Sequence, residues 1–150
     1  MTRSNAREIA VHLLYGARLS GETADAVLQT RFAEDYYSAL AGENEVYTDQ
    51  PDDRQKAYIQ AVVKGVEEHR PELEGYLTEF SIGWNVNRIS RLARSVMELA
   101  MYEILYVEDV PTNVAVHEAL LLAQKYEEPE TAAFVNGVLG SFVRSLGDRK

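Results

Sequence analysis

Histidine and carboxylate residues are the first side chains in this sequence that could do chemistry, because together they form zinc-dependent active sites. His117-Glu118 begins like the HExxH motif, in which two histidines one helical turn apart hold the metal. The position of the second histidine is occupied by Leu121, and His12 and His69 lie far away along the chain. Because the chain also contains no cysteine, the sequence predicts no metal site.

Other catalytic signatures are missing from the sequence as well. It contains neither a glycine-rich nucleotide-binding loop nor the GxSxG motif of a nucleophilic serine. Glu67-Glu68 and Glu127-Glu128 are adjacent acids, which diverge by about 100° on a helix and so do not present two carboxylates to one substrate. We therefore expect no catalytic residue, no cofactor and no enzymatic activity.

The heptapeptide FVNGVLG (134–140) has three possible interpretations. Asn136-Gly137 is a strong β-hairpin signal, and Gly137 and Gly140 match the GxxG loop that clamps nucleic-acid backbones. The apolar residues around it instead keep helical spacing, without an alternating pattern on either side. We predict a helix in which the glycines admit a close neighbouring helix and Asn136 holds nearby backbone. The apolar residues concerned are Phe134, Val135, Val138, Leu139, Phe142 and Leu146.

Three arginines near the amino end could contact nucleic acid. On a helical wheel, Arg3, Arg7 and Arg18 fall within an arc of roughly 60°, at the edge of an apolar face. Tyr15 lies nearby on the polar side, where its ring could stack on an unpaired base. The alternative interpretation is a solvated basic face and a packed tyrosine.

The charge of the chain opposes non-specific binding to nucleic acid. The net charge is −9, whereas neutralising phosphates requires an electropositive surface. Basic residues are concentrated in three islands, at 1–20, 84–106 and 131–150. The lack of cysteine, of a secretory signal and of a membrane-length apolar run predicts a soluble, cytoplasmic protein that does not contact membranes.

Apolar periodicity predicts about seven helices and no strands, that is, one all-α domain spanning 1–150. Asn5 is the expected start of the first helix, and the second is expected to run unbroken from Glu22 to Leu40. Trp84 is expected to pack in a turn before the fifth helix, which Asn87 would cap. The other predicted helices run from Asp52-Asp53 to Pro71, from Pro71 to about Phe80, from Asn87 to about Tyr106 with Ile89 facing inward, from Pro111 to Tyr126, and through the heptapeptide to about Leu146.

Two long segments and the heptapeptide together resemble a known family. RISRLARSVMELAMYEIL (88–105), EDVPTNVAVHEALLLAQKY (108–126) and FVNGVLG are similar to the carboxy-terminal half of the NusB family, the bacterial transcription antitermination factors. NAREIAVHLLYG (5–16) resembles the first helix of that family. The similarity covers both ends of the chain and is weakest from about 22 to 70.

The resemblance implies two small helical subdomains, no catalysis, and a role in ribosomal RNA transcription. The expected partners are NusE, a small-subunit ribosomal protein, the single-stranded boxA element of nascent ribosomal RNA, and the RNA polymerase antitermination complex. The fourth and fifth helices would face NusE, with Arg91 and Arg94 in that surface. By family position and by the helical wheel, the expected RNA-binding residues are Arg3, Arg7, Tyr15, Arg18, Tyr126 and Phe134.

Departures from the family pattern leave two other functions open. Relatives often carry more arginines around the first helix, where this chain has Asn5. They also often carry a basic residue at the position of Glu98. Because both differences weaken contacts with phosphates, we expect weak RNA binding without the partner. An acidic helical adaptor without RNA specificity is one alternative, in which Phe134 and Tyr126 only pack. A NusB-like domain of a ribosomal RNA cytosine methyltransferase is disfavoured, because the chain ends at Lys150 without an α/β cofactor domain.

Overall fold

The computed structural model describes residues 1–81, 83 and 89–149, the side chains of residues 34, 35, 148 and 149 aside. Within these ranges every regular element is helical, which confirms the predicted all-α class. Two short 3-10 helices, Leu40–Gly42 and Glu45–Thr48, precede the fourth α-helix. The α-helices are α1 (Arg3–Ser20), α2 (Ala24–Arg31), α3 (Glu34–Ala39), α4 (Asp53–Glu68), α5 (Arg70–Phe80), α6 (Arg91–Tyr106), α7 (Thr112–Tyr126) and α8 (Pro129–Arg149).

The chain divides into two compact units, Met1–Glu67 and Glu68–Lys150. In the first unit α1 packs against α2 and against the second 3-10 helix. In the second unit α6 packs against α5, α7 and α8, and α8 also contacts α5 and α7. No helix in the described part of the chain is both long and apolar enough to cross a membrane.

Helix α1 forms as predicted, but it begins earlier than Asn5. The side chain of Thr2 accepts a hydrogen bond from the Asn5 N–H at 3.1 Å, so Thr2 is the N-cap. An N-cap oxygen satisfies an N–H two or three residues downstream, which places Asn5 inside the first turn. Gly21 ends the helix at φ 74°, and its N–H donates to the Ala17 carbonyl oxygen at 2.8 Å.

The single helix predicted from Glu22 to Leu40 is wrong. The chain leaves the helical conformation at Ala33, where φ is −60° and ψ is 128°, and α3 starts afresh. The break brings Tyr37 into the core at 1 % exposure and leaves Tyr36 46 % exposed. Tyr37 packs edge-on against Tyr47 at 5.2 Å between centroids, and its hydroxyl donates to the Asp49 carbonyl oxygen at 2.8 Å. These tertiary contacts override the helical spacing that joined Phe32 to Tyr36.

The predicted helices from Asp52-Asp53 onward are confirmed in type and approximate position. Asp52 Oδ1 accepts from the Gln55 N–H at 2.8 Å at the start of α4, Pro71 lies in the first turn of α5, and Pro111 precedes α7. The prediction that α6 includes Ile89 is wrong, because this helix starts only at Arg91: Ser90 caps it by accepting from the Ala93 N–H at 3.0 Å, and Ile89 precedes the helix. The predicted roles of Trp84 and Asn87 lie outside the described residues.

The heptapeptide lies inside α8, so the prediction of a helix is confirmed. Its apolar face is buried, including Val135, Val138 and Leu139. The predicted close helix neighbour is wrong. A Cβ added to Gly137 would meet no described atom within 4 Å, and one on Gly140 would meet only Arg144 Nη1, at 3.4 Å. Asn136 is exposed, so it lacks the burial that would have required it to hold neighbouring backbone.

Candidate nucleic-acid interface

Two of the predicted arginines meet over one aromatic ring in the first unit. The Arg3 guanidinium carbon lies 4.1 Å from the centroid of the Tyr58 ring, and that of Arg7 lies 5.9 Å from it. Arg3 Nε also donates to Gln55 Oε1 at 2.9 Å. Because Gln55 and Tyr58 both belong to α4, cation–π attraction and this hydrogen bond hold α1 against α4.

Burial distinguishes these two arginines. Arg7 is 4 % exposed, whereas Arg3 remains partly exposed. A buried guanidinium is stable only when its charge is compensated by its surroundings, so Arg7 serves the packing of the protein and offers little surface to a ligand. The helical wheel placed Arg7 at the edge of the apolar face, but the buried face of α1 extends past it.

The other two α1 candidates lie near the carboxyl end of the helix. Tyr15 and Arg18 are partly exposed and three residues apart, so they are neighbours on one face. Leu19, one turn after Tyr15, is 52 % exposed. Arg3 and Arg18 share the predicted arc, but at 1.5 Å per residue they are separated by about 22 Å along the axis. The α1 candidates therefore form two groups rather than one continuous patch.

The aromatic candidates of the second unit differ in accessibility. Tyr126 is the last residue of α7, is partly exposed, and has Lys125 Nζ at 5.4 Å from its ring centroid. The Glu127 N–H closes this helix end by donating to the Ala123 carbonyl oxygen at 2.8 Å. Phe134 on α8 is only 5 % exposed, which favours the interpretation that its ring belongs to the core.

A cavity of about 480 Å³ lies between the end of α7 and the start of α8. Its polar lining comes from two amides, Gln124 and Asn136, and one carboxylate, Glu127. Amides and carboxylates can form hydrogen bonds with base edges. No local sequence signal predicts this combination, because only the packing of α7 against α8 brings Gln124 and Asn136 together. The apolar lining residues are Leu120, Pro129, Ala132 and Ala133.

The predicted partner-binding arginines lie in the first turn of α6, where Arg91 is exposed and Arg94 is partly buried. Ser90 Oγ donates to Glu127 Oε1 at 2.5 Å, which ties the start of α6 to the end of α7. Arg91 therefore lies on the side of the second unit that carries Tyr126 and the cavity. In the described ranges, no group of three or more His, Cys, Asp or Glu side chains could hold a metal ion.

Comparison with known proteins decides the family. The NusB family model matches residues 4–144, which is nearly the whole chain. The chain belongs to the NusB family. This membership confirms the resemblance found in the two long segments and the heptapeptide, and it extends the similarity through residues 22–70, where the sequence alone indicated it least.

Individual relatives match nearly the whole chain. The transcription antitermination protein NusB of Clostridium botulinum strain Loch Maree is 32 % identical over 143 residues, which are 95 % of this chain and 100 % of the relative. That of Ruminiclostridium cellulolyticum is 37 % identical over 148 residues, covering 99 % and 91 %. These proteins are named as transcription antitermination proteins, and the NusB family is not known as an enzyme family.

Solved structures share the fold. T. maritima NusB superimposes with a TM-score of 0.71 at 25 % identity, over 96 % of this chain and 92 % of that one. A chain in the structure described as "Crystal Structure of a Plectonemic RNA Supercoil" gives a TM-score of 0.76 at 20 % identity, over 97 % of both chains. The second similarity concerns the fold alone.

Proposed function

We propose that this protein is a transcription antitermination factor that pairs with NusE and binds boxA RNA of nascent ribosomal RNA transcripts. The observation that carries the proposal is the match to the NusB family over residues 4–144, which includes helices of both units. In this role the protein acts on transcripts emerging from RNA polymerase, as part of an antitermination complex in the cytoplasm.

The proposed RNA contacts combine stacking with charge. Tyr126 would stack on an unpaired base, with Lys125 and exposed Arg91 supplying positive charge on the same side of the second unit. On α1, the partly exposed residues Arg3, Tyr15 and Arg18 are the proposed contacts. Arg7 and Phe134 are only 4 % and 5 % exposed, so they offer little area to a base or a phosphate. We propose that they support the RNA-binding surface by packing below it.

The proposed dependence on NusE follows from charge. A protein of net charge −9 repels RNA at long range, and few exposed arginines remain to neutralise phosphates. A partner bound at α5 and α6, near Arg91 and Arg94, would contribute further contacts to the RNA. We therefore propose that the pair, rather than the single chain, recognises boxA.

A second candidate function is an acidic protein–protein adaptor without RNA specificity. The burial of Arg7 favours it, because this removes one of the cations expected to contact RNA. In this alternative, Tyr126 and Phe134 only contribute to packing, and the protein still binds NusE.

A binding titration separates the two functions. Labelled boxA-like RNA and a scrambled control are titrated with the protein alone and with the protein plus NusE, at two salt concentrations. A preference for boxA that requires or is strengthened by NusE supports the proposal. Binding of NusE without any preference for boxA supports the adaptor, and failure to bind NusE rejects both.

A further inference from the structure

An exposed aromatic cluster lies at the end of α6 away from Arg91, and it has no role in the proposed RNA interface. The imidazole of His69 lies 4.3 Å from the Tyr106 ring, and the Tyr102 ring lies 5.3 Å from that of Tyr106, between centroids. The Tyr106 hydroxyl donates to Glu72 Oε1 at 2.7 Å. We call His69, Glu72, Tyr102 and Tyr106 the tyrosine patch; all four belong to the second unit.

The tyrosine patch is accessible to a partner. Tyr106 is 43 % exposed and Glu72 is exposed, while His69 and Tyr102 are partly buried. A large aromatic side chain with this much accessible surface is a common component of protein interfaces. The hydrogen bond to Tyr106 fixes the Glu72 carboxylate beside the rings, so the site is ordered before a partner arrives.

The surrounding charge determines what kind of partner fits. Residues 68–80 contain four acids, and exposed Glu108 and Asp109 follow Tyr106, against Arg70 as the one base of 68–80 and 98–109. Glu98 and Glu103 of α6 are buried and are not part of this surface. The exposed carboxylates of Glu68 and Glu72 lie next to the rings in this acidic region. Such a potential repels phosphates and attracts cationic side chains, so RNA is disfavoured here and a basic protein segment is favoured.

Among cationic side chains, arginine matches the patch best. Its planar guanidinium stacks on aromatic faces and pairs with a carboxylate through more than one N–H. Glu72 accepts one hydrogen bond from Tyr106, and an ionised carboxylate has further acceptor sites. Lysine offers a compact ammonium group that cannot stack in this way.

We infer that the tyrosine patch binds an arginine in a basic segment of a protein partner. The site lies at the carboxyl end of α6, about 22 Å along the helix axis from Arg91, and is therefore separate from the proposed RNA-binding residues at the Arg91 end of the second unit. The inference does not depend on boxA binding, since it concerns only the chemistry of this surface.

The test uses short peptides as probes of the full-length protein. A peptide of alternating arginine and glycine is compared with its lysine counterpart and with a single-stranded RNA oligonucleotide, by NMR titration of the His69, Tyr102 and Tyr106 ring resonances. We expect the arginine peptide to shift these resonances and to bind more tightly than the lysine peptide. Tyr106→Ala should lower its affinity about fivefold, and Tyr106→Phe, which keeps the ring, should lower it less.

Tyr36→Ala is the matched control, because Tyr36 is 46 % exposed but lies in the first unit, with the Arg31 guanidinium 6.0 Å from its ring centroid. It should leave the affinity unchanged. The inference is overturned if both peptides bind equally well, if Tyr106→Ala and Tyr36→Ala have the same effect, or if the RNA shifts the patch resonances. A thermal melt of each variant shows whether the fold is retained. If Tyr106→Ala unfolds, the test rests on Tyr106→Phe and on the comparison of the arginine peptide with the lysine peptide.

Discussion

Tyr126 and Phe134 are aromatic residues of the same unit that differ in accessible surface. This difference indicates a ligand contact for one residue and a packing role for the other. Tyr126 ends α7 and is partly exposed, with Lys125 Nζ 5.4 Å from its ring centroid. Phe134 is 5 % exposed on the inner side of α8. A ring that stacks on a base must present a face to solvent in the free protein or become exposed on binding. At the residue scale, Tyr126 is therefore the stronger proposed RNA contact.

Replacing Tyr126 by Ala should weaken binding of boxA RNA in the presence of NusE. Base–aromatic stacking contributes about 1–3 kcal/mol, which corresponds to a loss of roughly 5- to 150-fold in affinity. The melting temperature should change little, because the ring is partly exposed. The measurement is a fluorescence-anisotropy titration, with Tyr36→Ala as the control for loss of an exposed tyrosine.

Phe134→Leu provides the comparison within the same unit. We expect it to lower the free energy of unfolding by about 1 kcal/mol and to weaken RNA binding only as far as the fold is lost. Weakened RNA binding at an unchanged melting temperature would instead make Phe134 a direct contact.

Two tyrosines should ionise late at alkaline pH. Burial raises the pKa of Tyr37 from 10.0 to about 12, and the hydrogen bond to Glu72 raises the pKa of Tyr106 to about 12. Between pH 10 and pH 12 the folded state therefore holds protons that the unfolded chain has released. Stability should be fully present below pH 10 and fall as the pH rises through this window.

Urea unfolding on both sides of pH 10 measures this effect, and ultraviolet absorbance follows the ionisation of tyrosine. Tyr37→Phe, which keeps the buried ring, should remove one late-ionising group and reduce the fall in stability. Simultaneous ionisation of all nine tyrosines near pH 10 in the folded protein would contradict the prediction.

At the scale of elements, the two glycine positions Gly21 and Gly137 have opposite roles. Gly21 ends α1 in the left-handed region at φ 74°, which side-chain-bearing residues adopt at a cost. Gly137 lies inside α8, and a Cβ there would meet no described atom within 4 Å. The first glycine is required by a helix end, whereas the second only lowers helix propensity.

Gly137→Ala should therefore stabilise the protein by up to about 1 kcal/mol, the difference in helix propensity between the two residues. Gly21→Ala should destabilise it by a similar amount, because alanine is strained at positive φ. Both changes are measured by chemical denaturation. Destabilisation by Gly137→Ala would show that a neighbouring helix does approach this position.

At the scale of the whole molecule, charge limits how the proposed RNA ligand can be approached. Under the proposed function, the net charge of −9 leaves recognition to a few exposed cations and to the protein partner. Arg3 is partly exposed and Arg7 is buried, although both lie over the Tyr58 ring. Of this pair, only the partly exposed Arg3 can contact a phosphate and release its counterions.

Arg3→Gln should lower the salt dependence of boxA binding by the protein–NusE pair. Each phosphate contact on a single strand contributes about 0.7 to the slope of log affinity against log salt, so the slope should become shallower by about that amount. Arg144→Gln, which removes an exposed arginine from α8, is the control and should leave the slope unchanged. An unchanged slope for Arg3→Gln would exclude a phosphate contact at Arg3.

Local spacing was sufficient for much of this fold. The 3.6-residue period predicts α1 and α4 through α8, and flanking Asp and Pro residues indicate the starts of α4, α5 and α7, because a helix is stabilised by contacts between residues three and four positions apart. For the same reason the heptapeptide was correctly interpreted as helical despite Asn136-Gly137. The motifs in the two long segments were also sufficient to indicate the family.

The remaining features depend on residues that are distant in sequence. The break at Ala33 follows from the packing of Tyr37 against Tyr47 and Asp49, and the accessibility of Arg7 and Phe134 depends on how wide the buried face of each helix is. The hydrogen bond between Ser90 and Glu127 and the tilted ring contact between His69 and Tyr106 join residues 37 positions apart in each case. Spacing within one helix carries no information about its neighbours, so only tertiary packing decided these sites.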